Sequence, residues 1–520
     1  MRLLLLLVLA ALLAPAAHAQ TCTTSWTNAA GGPWATAGNW DNGVPDAADD
    51  VCITLAGTYT VTVGAFSVNS LTVGGASGVQ TLQLSGNFSL AATGSVGANG
   101  ALLWRGGYLE AGTLTNAGTV QVASVTSNSR GVSGAAAVFR NAGTGTVTHS
   151  DAGLFYVWNG GRAENAGTWT FSGDGDLSGS SGAGTFVNEA GATLRKTGGT
   201  ATVFTSGSLT VENSGTINAT GGELRFDRPS SHTAATLTTG VGGTLRFNTD
   251  IPTFTGAITG AQGGALVLST NFVAGAGASW AFTGNGLTWT AGYLTSGTLT
   301  NTGTVRVADL TNNSRGVQGA TAVFRNTGTV DHSDAGQFYV FSDGRAENAG
   351  TWTFSGDGDL YGFTGASTFV NEAGATFRKS GAGTTTQVTG GTLTFENSGA
   401  IDVTGGELRF DRTSTHTAAT FTTAAGSTLR FTASNPTFTG AITGAQAGSL
   451  VMSTGFNVGA ATSWAFTGNG LTWTAGYLTA GTLTNTGLVR VADLTDNSRG
   501  VNGATAVFRN TGTIEHSDAG

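Results

Sequence analysis

The sequence predicts an all-β chain wound as a right-handed parallel β-helix. Three observations carry that expectation: a glycine- and threonine-rich composition with little charge, a duplication near 185 residues, and a shorter period of 22–26 residues inside it. Of 520 residues, 84 are glycine and only 10 % are charged, against about a quarter in ordinary soluble domains. A hydrophobic content of 39 %, with 27 Phe and 11 Trp, is too apolar for a disordered chain. Collagen is excluded because glycine shows no three-residue period and there are 6 Pro. Lys196 and Lys379 are the only lysines, and this scarcity of charged helix formers argues against bundles and coiled coils.

In chain order, residues 1–19 read as a secretory signal. Arg2 supplies the positive start, Leu3 to Leu13 the apolar core, and Ala17-His18-Ala19 the cleavage site. The apolar run is too short to span a bilayer, and no later stretch is longer. Ala19-Gln20-Thr21 before Cys22 is not the small-residue box of a lipoprotein. Residues 20–65 form a capping segment. Export to an oxidising compartment favours a disulfide between Cys22 and Cys52, adding about 3 to 4 kcal/mol through the loop it closes.

Residues 66–520 form the array, in long units of approximately 104–288, 289–472 and a shorter 473–520. Trp289-Thr290-Ala291-Gly292-Tyr293 returns as Trp473-Thr474-Ala475-Gly476-Tyr477, and Trp104 with Tyr108 is an earlier, diverged copy. Residues 288–336 and 472–520 differ at six of 49 positions. Within each unit an apolar residue followed by Asn and then Gly recurs, at Asn116, Asn141, Asn165, Asn188 and Asn213, then at Asn301, Asn326, Asn348, Asn371 and Asn397. These read as turns, where Asn and Gly tolerate positive φ. Eight coils per unit gives 23 residues per coil, enough for three short strands and three bends. One coil cannot bury its own apolar face, but stacked coils share a core. At about 4.8 Å per coil a unit extends roughly 38 Å and the array about 90 Å.

Alternation places the aromatics. Trp169 with Phe171, Leu287 with Trp289, and Trp280 with Phe282 share faces, which predicts interior stacks of Trp over Trp. A sugar-binding platform is the alternative, disfavoured by the apolar partners at i+2. Glu223, Arg225 and Asp227 alternate outward as a solvated ladder.

The stretch Trp26, Gly31-Gly32-Pro33-Trp34, Asn39-Trp40, Gly43-Val44-Pro45, Asp49-Asp50-Val51 and Thr60-Val61-Thr62-Val63 resembles the opening of bacterial secreted adhesin-like β-solenoids. These are of the autotransporter-passenger and filamentous-haemagglutinin kind. The resemblance covers about 45 residues and implies an extended stalk at the cell surface or outside the cell, whose partners are surface glycans, matrix or other cells. It carries over no catalytic or binding residue. The array breaks off within a coil at Gly520, which predicts an N-terminal portion of a longer protein.

β-Helices also host polysaccharide lyases and hydrolases, so acidic columns matter. Counting from the first apolar residue of each Asn turn, Asp309 and Asp334 fall at +10, Asp357 at +11 and Lys379 at +10, with His332 beside Asp334 and Asp359 beside Asp357. On adjacent coils such a column suits paired acid–base work or calcium. Against it, the first unit has Ser124 in place of the first acid and its Asp151 two positions out of register. Gly173-Asp174-Gly175-Asp176 and Gly356-Asp357-Gly358-Asp359 resemble calcium-binding nonapeptide repeats, but each stands once per unit rather than in tandem. Asp174, Asp176, Asp357 and Asp359 are therefore the calcium candidates. His149, His232, His332, His416 and His516 recur by duplication and read as turn residues. No phosphate loop or zinc spacing is present in the sequence, and no cofactor is expected. A net charge of −8 without a basic stripe disfavours nucleic acid. Shifting Thr positions and unequal coils disfavour ice binding. The expectation is a non-catalytic extracellular or cell-surface scaffold, adhesin-like. The alternative is a polysaccharide-binding or polysaccharide-degrading β-helix using Asp309, Asp334 and Asp357.

Overall fold

Alternating Thr and apolar residues in runs of four or five give short strands with one buried and one open face. In Thr168–Phe171, Trp169 and Phe171 are fully buried while both threonines stay half-exposed. The computed structural model describes residues 21–123, 129–308, 314–432, 435–492 and 498–517, and these form a parallel β-solenoid. Through the regular coils each strand pairs in parallel with the third strand along. Ala137–Asn141 pairs with Arg162–Asn165, Thr146–His149 with Thr168–Phe171, and Phe155–Trp158 with Leu177–Ser178. Three strands make one coil, as the sequence period predicts, and the stacked coils make three sheets around one core.

The interior differs from simple Trp-on-Trp stacking. Val120, Val147, Trp169, Leu194 and Ile217 align down one sheet. Trp169 therefore sits between Val and Leu there. It meets Phe139, Phe155 and Phe186 of the other two sheets edge-on, with centroids 5.3–5.8 Å apart. An indole on every rung of one sheet would overfill a core of this width, whereas rings offered in turn by three sheets interlock.

The recurring asparagines are not positive-φ turn residues. Each is the last residue of its strand, on the inward face two residues after a buried apolar one, and fully buried. Their Nδ2 groups donate up the stack, Asn116 to Asn141 Oδ1 (2.7 Å), Asn141 to Asn165 (2.7 Å), Asn165 to Asn188 (2.8 Å) and Asn188 to Asn213 (2.7 Å). The second unit repeats this from Asn301 to Asn397. The glycine that follows serves close approach. A Cβ on Gly167 would lie 2.3 Å from Gly145 O and 2.4 Å from Ala142 O in the coil before.

At the N-terminus, Cys22 and Cys52 are disulfide-bonded, with Cα atoms 5.7 Å apart. This ties the strand Thr24–Ser25 beside Asp50–Ile53, its parallel partner. Trp26, Trp34 and Trp40 pack edge-on at 4.7–4.9 Å, and Trp34 stacks on Phe66. These indoles lie on the core's first coil.

The long repeat is not eight whole coils. Leu287–Trp289, the counterpart of Leu102–Trp104, does not stack in the sheet of its counterpart. It falls in the sheet of Arg130–Ser133 and Phe155–Trp158. Following the pairings from Leu102 to Leu287 gives about eight and a third turns. Equivalent residues of successive units therefore face directions one-third of a turn apart.

Candidate functional site

The sequence-derived acids serve inter-coil bonds. Asp334 binds the buried Arg315 Nη2, stands 2.9 Å from His332 Nε2 and accepts the Gly336 N–H at 3.0 Å. Burial would raise its pKa, but the bond from His332 and the charges of His332 and Arg315 hold it below the ordinary value. The first unit repeats the arrangement with Asp151, Arg130, His149 and Gly153. Burial lowers the pKa of His149 and His332. Of the histidines expected in turns, His149, His232, His332 and His416 are thus core residues, whereas His516 ends the exposed strand Thr513–His516. His332 and Asp334 meet, while Asp357 has a different partner, its Oδ1 accepting the Thr385 N–H at 3.0 Å. Asp309 lies outside the described residues.

The Asp-x-Asp segments act similarly. Asp174 accepts from the Thr200 and Ala201 amides, Asp176 from Val203 N–H at 2.7 Å, and Asp359 from Gln387 N–H at 2.7 Å. Burial raises the pKa of Asp176 and Asp359. Inside the same bends, the fully buried Lys196 donates to Gly173 O (2.5 Å) and Thr202 Oγ1 (3.1 Å), and Lys379 donates to Gly356 O and Thr384 Oγ1. Among the described residues no three His, Cys, Asp or Glu side chains gather to hold a metal ion.

The feature with the form of a binding site is aromatic. In Phe338–Phe341 (Phe-Tyr-Val-Phe), Phe338 and Val340 point into the core, so Tyr339 and Phe341 must point out. They join Tyr293, Tyr361 and Phe363, with Ser314 and Gln337, around an open groove of about 350 Å³. That is within the range of small-ligand sites. Ring centroids lie 5.0 Å apart for Tyr293–Phe341, 6.3 Å for Tyr293–Tyr339, 5.4 Å for Tyr339–Tyr361 and 6.4 Å for Phe341–Phe363. Gly316 stands in register between Tyr293 and Tyr339. Its φ is +147°, and a Cβ would fall 1.9 Å from Tyr339 O. This glycine leaves the notch over which the two tyrosines lean together. Partial burial raises the pKa of Tyr293, opposed by a hydrogen bond with Ser314.

No family model matches the chain, and no curated protein matches it. The site is therefore read from its own geometry.

The first unit carries a smaller version. Tyr108, Gly131 and Tyr156 align as Tyr293, Gly316 and Tyr339 do, and Trp158 takes the place of Phe341. Ser178 and Ser180 stand where the second unit has Tyr361 and Phe363. The third copy retains Tyr477 opposite Gly500. Sequence reasoning missed these rings because it looked for platforms among the inward-facing aromatics. The available signal was an unbroken run of large hydrophobic residues such as Phe338–Phe341, since a strand alternates and cannot bury four consecutive apolar side chains on one face.

Proposed function

We propose that the chain is an exported, non-catalytic scaffold of the adhesin-like type, displaying its outer aromatic groove to surface glycans, matrix or other cells. One observation carries this reading. Among the described residues Asp334, Asp357 and Asp359 are each engaged in bonds that tie one coil to the next, whereas the aromatic groove is built outward. Export is supported by Arg2, the apolar run from Leu3 to Leu13 and the Ala17-His18-Ala19 site, and by a disulfide of the kind that persists in oxidising compartments. Incubation of the purified chain with acidic and neutral polysaccharides, with and without EDTA, tests the reading through new reducing or unsaturated ends. No turnover is expected. Turnover abolished by Asp357→Asn at unchanged melting temperature would replace the scaffold with an enzyme.

A further inference from the structure

Most of the outer surface bears Thr, Ser and Arg–carboxylate ladders such as Arg325 with Glu347 and Glu372. Against that background, Phe363 is 61 % exposed, the only aromatic residue among the strongly exposed large hydrophobics of the described residues. It extends a row of four further rings. We propose that this groove binds a neutral polysaccharide, with successive pyranose rings stacked along Tyr293, Tyr339, Tyr361, Phe341 and Phe363. The proposal rests on the scaffold reading and names the chemistry of its partner.

The lining decides the ligand class. A pyranose presents a C–H face that stacks on an aromatic ring and a rim of hydroxyls that needs donors and acceptors. The groove offers flat apolar rings edged by three tyrosine hydroxyls, the Ser314 hydroxyl and the Gln337 amide. Among the described residues no charged side chain lines it. An acidic glycan would meet no cation there, and the nearby Asp343, whose Oδ1 is tied to the Ala366 N–H, would repel it. The rings follow the sheet from one coil to the next, so the site is elongated along the solenoid axis. That shape suits an internal stretch of a chain rather than a terminal sugar. The first unit lacks the two outermost rings and is expected to bind more weakly.

Affinity electrophoresis tests this, with the purified chain run through gels containing β-glucan, galactomannan, xylan, alginate or polygalacturonate. Retardation is expected in at least one neutral gel and in neither acidic gel, unchanged by EDTA. Phe363→Ser, which installs the first unit's residue at an exposed position, should weaken it at least tenfold, and Tyr339→Ala should do the same. Ser180→Phe, at the exposed position that corresponds to Phe363, should strengthen binding by the first unit. Melting temperatures within a degree or two of the parent's keep folding out of the comparison. Migration unaffected by every neutral polysaccharide, retardation indifferent to Phe363→Ser and Tyr339→Ala, or preference for the acidic gels overturns the groove proposal while leaving the scaffold reading intact. Cleavage of the gel polysaccharide would instead overturn the scaffold reading.

Discussion

His232 and His416 end their asparagine ladders within shells of phenylalanine. His232 Nδ1 takes the Asn213 Nδ2 group at 3.3 Å and its ring stacks on Phe254, and His416 repeats this with Asn397 and Phe438. Burial pushes both from 6.5 to about 3. The fold therefore holds the neutral form, while the unfolded chain takes up protons below pH 6.5. Stability should begin to fall as pH drops through 6.5 and level off only near pH 3, by on the order of a few kcal/mol per histidine. Burial lowers His149 and His332 as well, which adds to the same slope. Asp334 has a depressed pKa, so its contribution is lost only at lower pH, below the carboxylate value of 3.8. Thermal melts between pH 7 and about 5 isolate the histidines. His232→Leu with His416→Leu should flatten that slope, at about 1 kcal/mol per lost ladder bond; an unaltered slope would show that the rings are not held neutral. Lys196 and Lys379 give a second check at this scale. Both are fully buried, so an amine-reactive reagent should leave them unmodified in the folded chain and label them only in denaturant, as read by peptide mass spectrometry.

The asparagine ladder is an element in its own right, because each link satisfies three groups at once. Asn348 Nδ2 donates to Asn371 Oδ1 (2.8 Å) and Thr376 O (2.9 Å), while its Oδ1 accepts from Asn326 (2.8 Å). Asn348→Ala strands donors and acceptors in a dry interior and should cost about 2 to 4 kcal/mol. Asn348→Asp should cost at least as much, because it sets a carboxylate against Asn371 Oδ1. A solenoid is stabilised mostly by neighbouring coils, so hydrogen exchange should quicken first in the coils holding Asn326 and Asn371. Uniform exchange along the whole rod would contradict local coupling. The coil period and three-strand rhythm were legible because alternation and spacing express them directly. The ladder was not, since Asn followed by Gly is also the signature of a turn. The better clue was Phe139 two residues before Asn141, which puts both on the inward face. The buried Arg130 and Arg315 were hidden for a related reason, because sequence shows an arginine but not the distant aspartate that receives it.

Across the whole molecule, the one-third-turn offset makes the three sheets interchangeable. The sheet holding Tyr156 and Trp158 in the first unit later holds Val330 with His332, then Asn485 with Asn510. The sheet of Asn141 and Asn165 becomes that of Tyr339 and Tyr361. The sheet of Val147 and Trp169 becomes the second ladder, Asn326 with Asn348, and then carries Tyr477. The aromatic clusters of the first two units and Tyr477 of the third therefore face three different directions, spaced by about 40 Å along the axis at 4.8 Å per coil. Sequence arithmetic could not see this, because eight coils and eight and a third both fall within the 22–26 residue scatter of the short period. Since every sheet already accepts every kind of strand, a whole unit should be removable. Deleting residues 289–472 joins Thr288 to Trp473, and residues 473–520 match 289–336 almost throughout. The strand of Leu287 then continues with its own register, and the next coils find the side chains they would have met. The shortened chain is expected to melt cooperatively and to lose about 40 Å from its maximum dimension in small-angle scattering. A deletion of half a coil, such as residues 326–336, moves every later strand one or two sheets out of place and should aggregate. If the unit deletion aggregated equally, the sheets would not be equivalent, and the rotation of the aromatic clusters around the rod would lose its structural basis.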